Sequence, residues 1–327
     1  MSVWRPKIPE PRIAVSSYVV LNFEDKIGST AKGAADSTIL ALTHRYETRK
    51  QRSGLGRMFL GKHKVNEHRC VQELPMVGFT TDATTLQTIR QACASAEKVY
   101  LVLHGDPRTT DTAYTNAIGK VGVVNLCSSA QLAAFLSGVL PRKDHQKIAL
   151  VMCYGARCKD YRSANVNHQG AMGINDLKTS FAYRLVYELV QLGFNPLVSA
   201  VTGKIQHNAQ TGHALIEREE LIDINMELAE ASRTFTQDAK LHGGGGEFKK
   251  TDEGKRQFDG IKDIQAQLQQ ARTHLPQGDE SNKYGKLVFK YKNATLKIVN
   301  KYGGQGANAV TAGTVLYSGA LVTPGAA

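Results

Sequence analysis

Val99-Tyr100-Leu101-Val102-Leu103, running into His104-Gly105-Asp106, and Ile148-Ala149-Leu150-Val151-Met152, running into Cys153-Tyr154-Gly155-Ala156, decide how this chain is read. Each five-residue run is rich in aliphatic and β-branched residues and carries no charge. That pattern suits a strand buried on both faces of a parallel sheet. Open α/β sheets place their sites at the carboxyl edge, so an imidazole and a thiol are expected there side by side.

Between the two runs, Ser128-Ser129-Ala130-Gln131 opens a helix that continues to about Leu140. Strand, helix and strand in that order form a βαβ unit with a right-handed crossover. Upstream, Tyr18–Phe23 reads as a first strand ending at Glu24-Asp25, followed by a helix over Ser29–Arg45. Residues 45–70 are basic and glycine-punctuated and read as an exposed loop or ragged hairpin. Asp82–Ala96 reads as a helix, and 105–125 as a polar loop long enough to be functional.

Downstream, Leu177, Phe181, Leu185 and Leu189 form the apolar stripe of a helix from Asp176 to about Leu192, which Gly193 ends. Leu197–Thr202 is another strand. Residues 214–275, rich in Glu, Gln, Ala and Lys, read as a helical insertion broken at Gly243–Gly246. Leu287–Lys292 and Thr295–Val299 read as a hairpin around Asn293-Ala294. The organisation expected is an extended arm (1–17), an α/β core (18–213), the insertion (214–275), a basic β-flap completing the core (276–302) and a flexible Gly/Ala-rich tail (303–327).

The 327 residues carry 41 Lys and Arg against 29 Asp and Glu, a formal charge of +12. Such an excess fits an anionic partner: nucleic acid, a membrane surface or a polyphosphate. It also fits a basic surface with no specific anion site. The chain shows no aromatic stacking set or zinc-ligand spacing, so nucleic acid is not expected. His63, His68 and Cys70 lack an evident fourth ligand, and no metal site is assigned. No apolar stretch approaches the roughly 18 residues of a membrane span. The N-terminus lacks the apolar core of a Sec signal peptide, so export would use a route the sequence does not display. Cys70, Cys93, Cys127, Cys153 and Cys158 are few, odd in number and scattered, as for thiols kept reduced in a cytosol.

A catalytic cysteine acts as thiolate, which a neighbouring imidazole generates or stabilises. Backbone amides must face the oxyanion that forms; Gly105, where substrate can approach the main chain closely, and Cys153 are the candidate donors. The structural alternative is a buried small hydrophobe at Cys153 and a turn histidine at His104. His104 and Cys153 stand 49 positions apart, close to the separation that caspases use. The pair resembles that of the caspase-like (clan CD) cysteine peptidases.

Residues 15–213 and 283–301 more closely resemble the self-processing cysteine peptidase domains of large bacterial toxins and their free-standing effector relatives. The matching pieces are Val19–Asp25 with Ala34-Ala35, Leu103–Asp106, Met152-Cys153, Gly193–Ala200, Thr211-Gly212-His213 and the Lys283–Lys301 hairpin. The resemblance implies an α/β, caspase-like three-layer sandwich with a mostly parallel central sheet, a C-terminal basic flap and a helical insertion. It implies Cys153 as nucleophile, His104 as its partner, and Asp25 as the acid orienting His104, with Glu24 as its rival.

It further implies activation by inositol hexakisphosphate, held by His44, Arg45, His213, Lys283, Lys286, Lys290, Lys292, Lys297 and Lys301. Cleavage after leucine, of itself or of a host protein, would follow in a host cytosol. The chain departs from that family at Leu103 and Met152, where the toxin domains usually have glycine. Tyr154 replaces a small residue, and Pro107 follows His-Gly-Asp. A catalytically inactive polyphosphate- or phosphoinositide-binding module and an acyltransferase using the same dyad are the alternative readings.

Overall fold

Two adjacent parallel strands carry the two apolar runs. The computed structural model describes residues 16–24, 34–52, 63–70, 82–115, 126–158, 174–207, 214–216, 219–274, 285–301 and 313–324. In chain order these begin with β1 (Ser16–Asn22), α1 (Ala34–Arg52), β2 (His63–Arg69), α2 (Ala83–Ser95) and β3 (Ala96–Val102). Then come β4 (His104–Asp106), β5 (Thr109–Tyr114), β6 (Leu126–Ser128), α3 (Ser129–Val139) and β7 (Gln146–Val151). The short α4 (Ile174–Leu177), α5 (Phe181–Gln191), β8 (Pro196–Val201), β9 (Ile205–His207) and β10 (Ala214–Ile216) follow. Helices α6 (Glu219–Leu241), α7 (Gly245–Phe248) and α8 (Asp252–His274) lead to β11 (Lys286–Lys292), β12 (Thr295–Asn300) and β13 (Val315–Ala320).

Eight of these strands form one sheet in the order β13-β12-β11-β8-β7-β3-β1-β2. The five from β2 to β8 run parallel, and β11, β12 and β13 add antiparallel. Side-chain alternation sorts the sheet into two faces. Val19, Leu21, Val99, Leu101, Ile148, Leu150, Val198, Phe289 and Ile298 face one cluster, packed beneath α2, α3 and α5. Tyr18, Val20, Tyr100, Val102, Ala149 and Val151 face a smaller cluster with Ala35 and Leu42 of α1. Each fully buried Leu or Phe in these layers contributes on the order of 2 kcal/mol through the area it removes from water. The sheet is therefore flanked by helices on both faces.

The helix ends follow their capping chemistry. Asp82 accepts the Thr85 amide at the start of α2. Ser128 and Gln131 form a reciprocal capping box at α3. Ser180 caps α5 by accepting the Tyr183 amide, which splits the expected 176–192 helix into α4 and α5. Gly193, at φ +81°, closes α5 with the Phe194 amide bonded to Leu189 O and its own to Val190 O.

Several expectations are corrected. Where a loop or ragged hairpin was expected over 45–70, α1 runs on to Arg52 and His63–Arg69 pairs with β1 as an edge strand; residues 53–62 lie outside the described residues. The loop expected at 105–125 contains β4 and β5, which with β6 form a small antiparallel sheet. The tail expected at 303–327 supplies the edge strand β13. Beyond it, the buried Tyr183 hydroxyl donates to Val322 O and accepts from Val322 N, which ties the segment to α5. Helices α6 and α8 pack on one another around Phe235, Phe248, Phe258, Ile261 and Leu268. No helix among the described residues is long and apolar enough to cross a membrane.

Candidate active site

Register fixes the site. Asn22 lies beside Val102 in the β1–β3 ladder, and Val102 beside Val151 in the β3–β7 ladder. Two residues beyond each member of this row stand Glu24, His104 and Cys153. Equal steps past aligned positions bring all three to the carboxyl edge, on the face that α1 covers. The ladders extend one residue further through Phe23 N–H to Val102 O and Leu103 N–H to Val151 O.

Glu24 Oε1 lies 3.1 Å from His104 Nε2. Oε2 of the same carboxylate accepts the Ala35 amide at 3.0 Å, in the first turn of α1. Free amides and the helix dipole favour negative charge there. The Glu24 amide donates to Asn22 Oδ1, and Asn22 Nδ2 donates to Glu67 Oε1. Glu24 is 5% exposed, so this carboxylate is fixed from several sides. With Nε2–H directed at Glu24, His104 keeps Nδ1 for a second partner. Asp25 lies outside the described residues, and Glu24 is the acid that reaches His104.

Cys153 is half-buried, with Sγ 3.9 Å from Ile205 O. The next residue, Tyr154, holds φ +61°, a left-handed conformation that a bulky side chain adopts at a cost of roughly 1–3 kcal/mol. The turn is held by Tyr154 N–H to Gly203 O, Gly155 N–H to Met152 O and Ala156 N–H to Val201 O. The small residue expected after cysteine is thus replaced by a tyrosine in a strained turn.

Gly105 abuts this turn, and a Cβ there would stand 2.0 Å from the Cys153 carbonyl oxygen. The glycine is required for the approach of two backbones, where the sequence reading invoked the approach of substrate. Leu103 and Met152 are 2% and 1% exposed and belong to the core cluster on the opposite face. Their departure from glycine therefore fills core rather than cleft.

His104, Gly105, Asp106, Pro107, Arg108, Cys153, Tyr154 and Lys204 line a cleft of about 370 Å³. Its other wall is α6, through Ile222, Asn225, Met226 and Ala229. Burial alone would raise the Asp106 carboxyl, but hydrogen bonds from the Arg108 side chain and backbone outweigh it and hold the group below its usual range. Arg157, 1% exposed, reaches from the Cys153 turn to Asp223 Oδ1 of α6 at 3.1 Å.

The other four thiols are buried, unlike Cys153. Burial pushes Cys93 and Cys127 up to about 12 and Cys70 also upward, and Cys158 is 1% exposed.

The hairpin turns at Asn293-Ala294 with both φ positive, the twist that a two-residue hairpin needs. Lys290 stands opposite Lys297, and the Lys301 amide donates to Lys286 O. By alternation Lys286, Lys290, Lys292 and Lys297 share the sheet face on which α1 packs, while Leu287, Phe289, Leu296 and Ile298 face the core. Lys290, Lys292, Lys297 and Lys301 are exposed. His44 and Arg45 lie on α1; His213 and Lys283 fall outside the described residues. Among the described residues no group of three His, Cys, Asp or Glu converges as a metal site would require.

The expectation placed Asp25 first and Glu24 as its rival, yet the sequence carries a signal that points to Glu24. Tyr18, Val20, Asn22 and Glu24 alternate onto one face, in phase with Val102-His104 and Val151-Cys153. The α6 residues also left a trace, since 222, 225, 226 and 229 follow helical spacing.

Fold and site define a mixed α/β protein whose parallel strands present a cysteine and a glutamate-held histidine to one cleft. No family model matches the chain, and no curated protein matches it. Among solved structures, the crystal structure of caspase-1 from Spodoptera frugiperda is similar over 68% of this chain and 69% of that chain. The identity is 11% and the TM-score 0.26, so the site is read from its own geometry.

Proposed function

We propose that this chain is a caspase-like cysteine endopeptidase. The observation that carries the reading is the row Glu24, His104 and Cys153, each two residues past aligned strand positions, with His104 Nε2 on Glu24. Cys153 Sγ, as thiolate, attacks the scissile carbonyl carbon; the C–S bond forms and the carbonyl electrons move onto oxygen. The amides of Gly105 and Cys153 are the proposed oxyanion donors. As the C–N bond breaks, imidazolium His104 gives its proton to the departing amine. Water then attacks the thioester, His104 takes its proton, and the acid leaves with the thiolate restored.

Glu24 stabilises the imidazolium and fixes the tautomer. An acidic group held by the Ala35 amide and beside a histidine suits that role better than a solvated turn carboxylate would.

The proposed activator is inositol hexakisphosphate, supported by the crowded lysine face of β11 and β12. Like charges placed opposite one another repel, and a polyanion there would relieve them. The proposed setting, a bacterial effector or toxin component cleaving itself or a host protein after leucine in a host cytosol, follows the resemblance to toxin domains. The lysine face alone also supports a second reading, a polyphosphate-binding module without peptidase activity.

Incubation of the full chain with and without inositol hexakisphosphate, followed by mass spectrometry of peptide and self-cleavage products, decides between them. Cleavage lost in both Cys153→Ala and His104→Ala, with the fold retained, is expected. Equal cleavage by Cys153→Ala and the parent chain overturns the peptidase reading.

A further inference from the structure

We propose that the first turns of α6 are the specificity wall of the Cys153 cleft, selecting an extended peptide with an apolar side chain next to the reacting carbonyl. This rests on Cys153 being the nucleophile of a peptidase. Ile222, Asn225, Met226 and Ala229 stand at i, i+3, i+4 and i+7, the spacing that puts residues on one helix face. All four line the cleft that holds His104 and Cys153.

The wall is anchored to the nucleophile's own turn. Arg157 lies four residues past Cys153, and its guanidinium is removed from solvent. Nη2 meets Asp223 Oδ1 at 3.1 Å and Met226 Sδ at 3.8 Å. A buried charge cannot give up its partner without a large penalty, so α6 and the Cys153 turn are held as one unit. Ile222, 1% exposed, adds an apolar foot beside this pair. Helix α6 also packs on α8, and the Arg157–Asp223 pair joins it to the Cys153 turn.

The class of ligand follows from the walls. Pro107, Met226 and Ala229 offer apolar surface close to Cys153, with Ile222 packed beneath. Beyond Met226 and Ala229 a second groove continues along α6 past Asp223, Glu227 and Glu230, and Arg108 lines both. A chain lying in both grooves would run beside the helix, as an extended peptide does and a compact metabolite does not.

The test uses the full chain and two thiol reagents, small iodoacetamide and bulky fluorescein maleimide, with peptide mapping to read Cys153 alone. Met226→Ala is expected to raise the ratio of bulky to small labelling by about tenfold, and Met226→Trp to lower it by about tenfold. Leu241→Ser, at the far exposed end of α6, leaves the ratio unchanged. Ratios within about twofold of the parent in both Met226 variants overturn the wall, as does an equal change in Leu241→Ser. Cleavage of a peptide library by the same variants is read in parallel. A parent chain that labels as expected but cleaves nothing, with inositol hexakisphosphate present as well as without it, overturns the peptidase reading and leaves the wall standing. Unaltered residue preference next to the scissile bond in an active Met226→Ala overturns the specificity role.

Discussion

Glu24 Oε1 and His104 Nε2 are 3.1 Å apart, joined across two strands whose side chains alternate in phase. The carboxylate is backed by the first turn of α1 through the Ala35 amide, so the acid, the imidazole and a helix terminus act as one assembly. The consequences for activity and stability are specific.

Glu24→Gln keeps the size of the side chain and removes its charge. The imidazolium loses its stabilising partner, and kcat is expected to fall by on the order of 10²-fold. The loss for Asp25→Asn is expected to be at least about tenfold smaller, as orientation by the neighbouring acid is not shared. Steady-state cleavage of one peptide by both variants checks the difference. A larger loss in Asp25→Asn assigns the role to Asp25.

Gly105→Ala places a methyl group against the Cys153 carbonyl oxygen, which has no flexible end to move aside. The backbones must part, with a destabilisation of about 1–3 kcal/mol. Alkylation of Cys153 and peptide cleavage are expected to change together with stability, because the same contact sets the spacing of His104 and Cys153. Chemical denaturation with iodoacetamide kinetics gives both. An unchanged midpoint and labelling rate would remove this glycine's structural role.

Lys290→Glu places a carboxylate opposite Lys297. Without polyanion the melting temperature is expected to stay level or rise, since repulsion becomes attraction. With inositol hexakisphosphate the stabilisation seen in the parent is expected to shrink. For a ligand at a hundred times its Kd that stabilisation is about 2.7 kcal/mol. Thermal shift with and without the polyanion measures the opposed signs. No shift in the parent chain would remove the activator claim.

His68 provides a pH signature. Burial lowers its pKa, with Glu67 acting in the opposite direction, and among the described residues its buried Nε2 has no hydrogen-bond partner. The unfolded state therefore takes up the proton first, at about pH 6.5. Stability from neutral His68 is present above that value and is lost as pH falls through the lower folded pKa. His68→Gln is expected to flatten the decline in melting temperature as pH falls below about 6.5. An equally steep decline in the variant would place the sensitivity elsewhere.

Much of this architecture is legible in the chain because buried parallel strands announce themselves. Ile148–Val151 and Val99–Val102 have no other reasonable home, and the capping residues Asp82 and Ser128 mark their helices. Less legible are the strands that do not repeat an apolar pattern. His63–Arg69 is polar because it is an edge, Thr109–Tyr114 belongs to a small side sheet, and Val315–Ala320 lies in a Gly/Ala-rich stretch. Their pairing is decided by what the larger sheet leaves open, which local composition does not encode. At the site, the meeting of His104 and Cys153 at one cleft could be read from strand ends, whereas Asp223 and Met226 depend on a helix returning to the cleft from distant sequence.

The bond between Tyr183 and Val322 spans 139 positions. Closing so long a loop is entropically slow, and the partner residue is made well after the cysteine strand leaves the ribosome. A nascent chain therefore holds its thiol long before the outermost strand can dock and the Val322 segment can clasp α5. The order of synthesis delays the finished sheet until nearly all of these residues exist, a built-in postponement of maturity for a protein whose cleft holds a thiol.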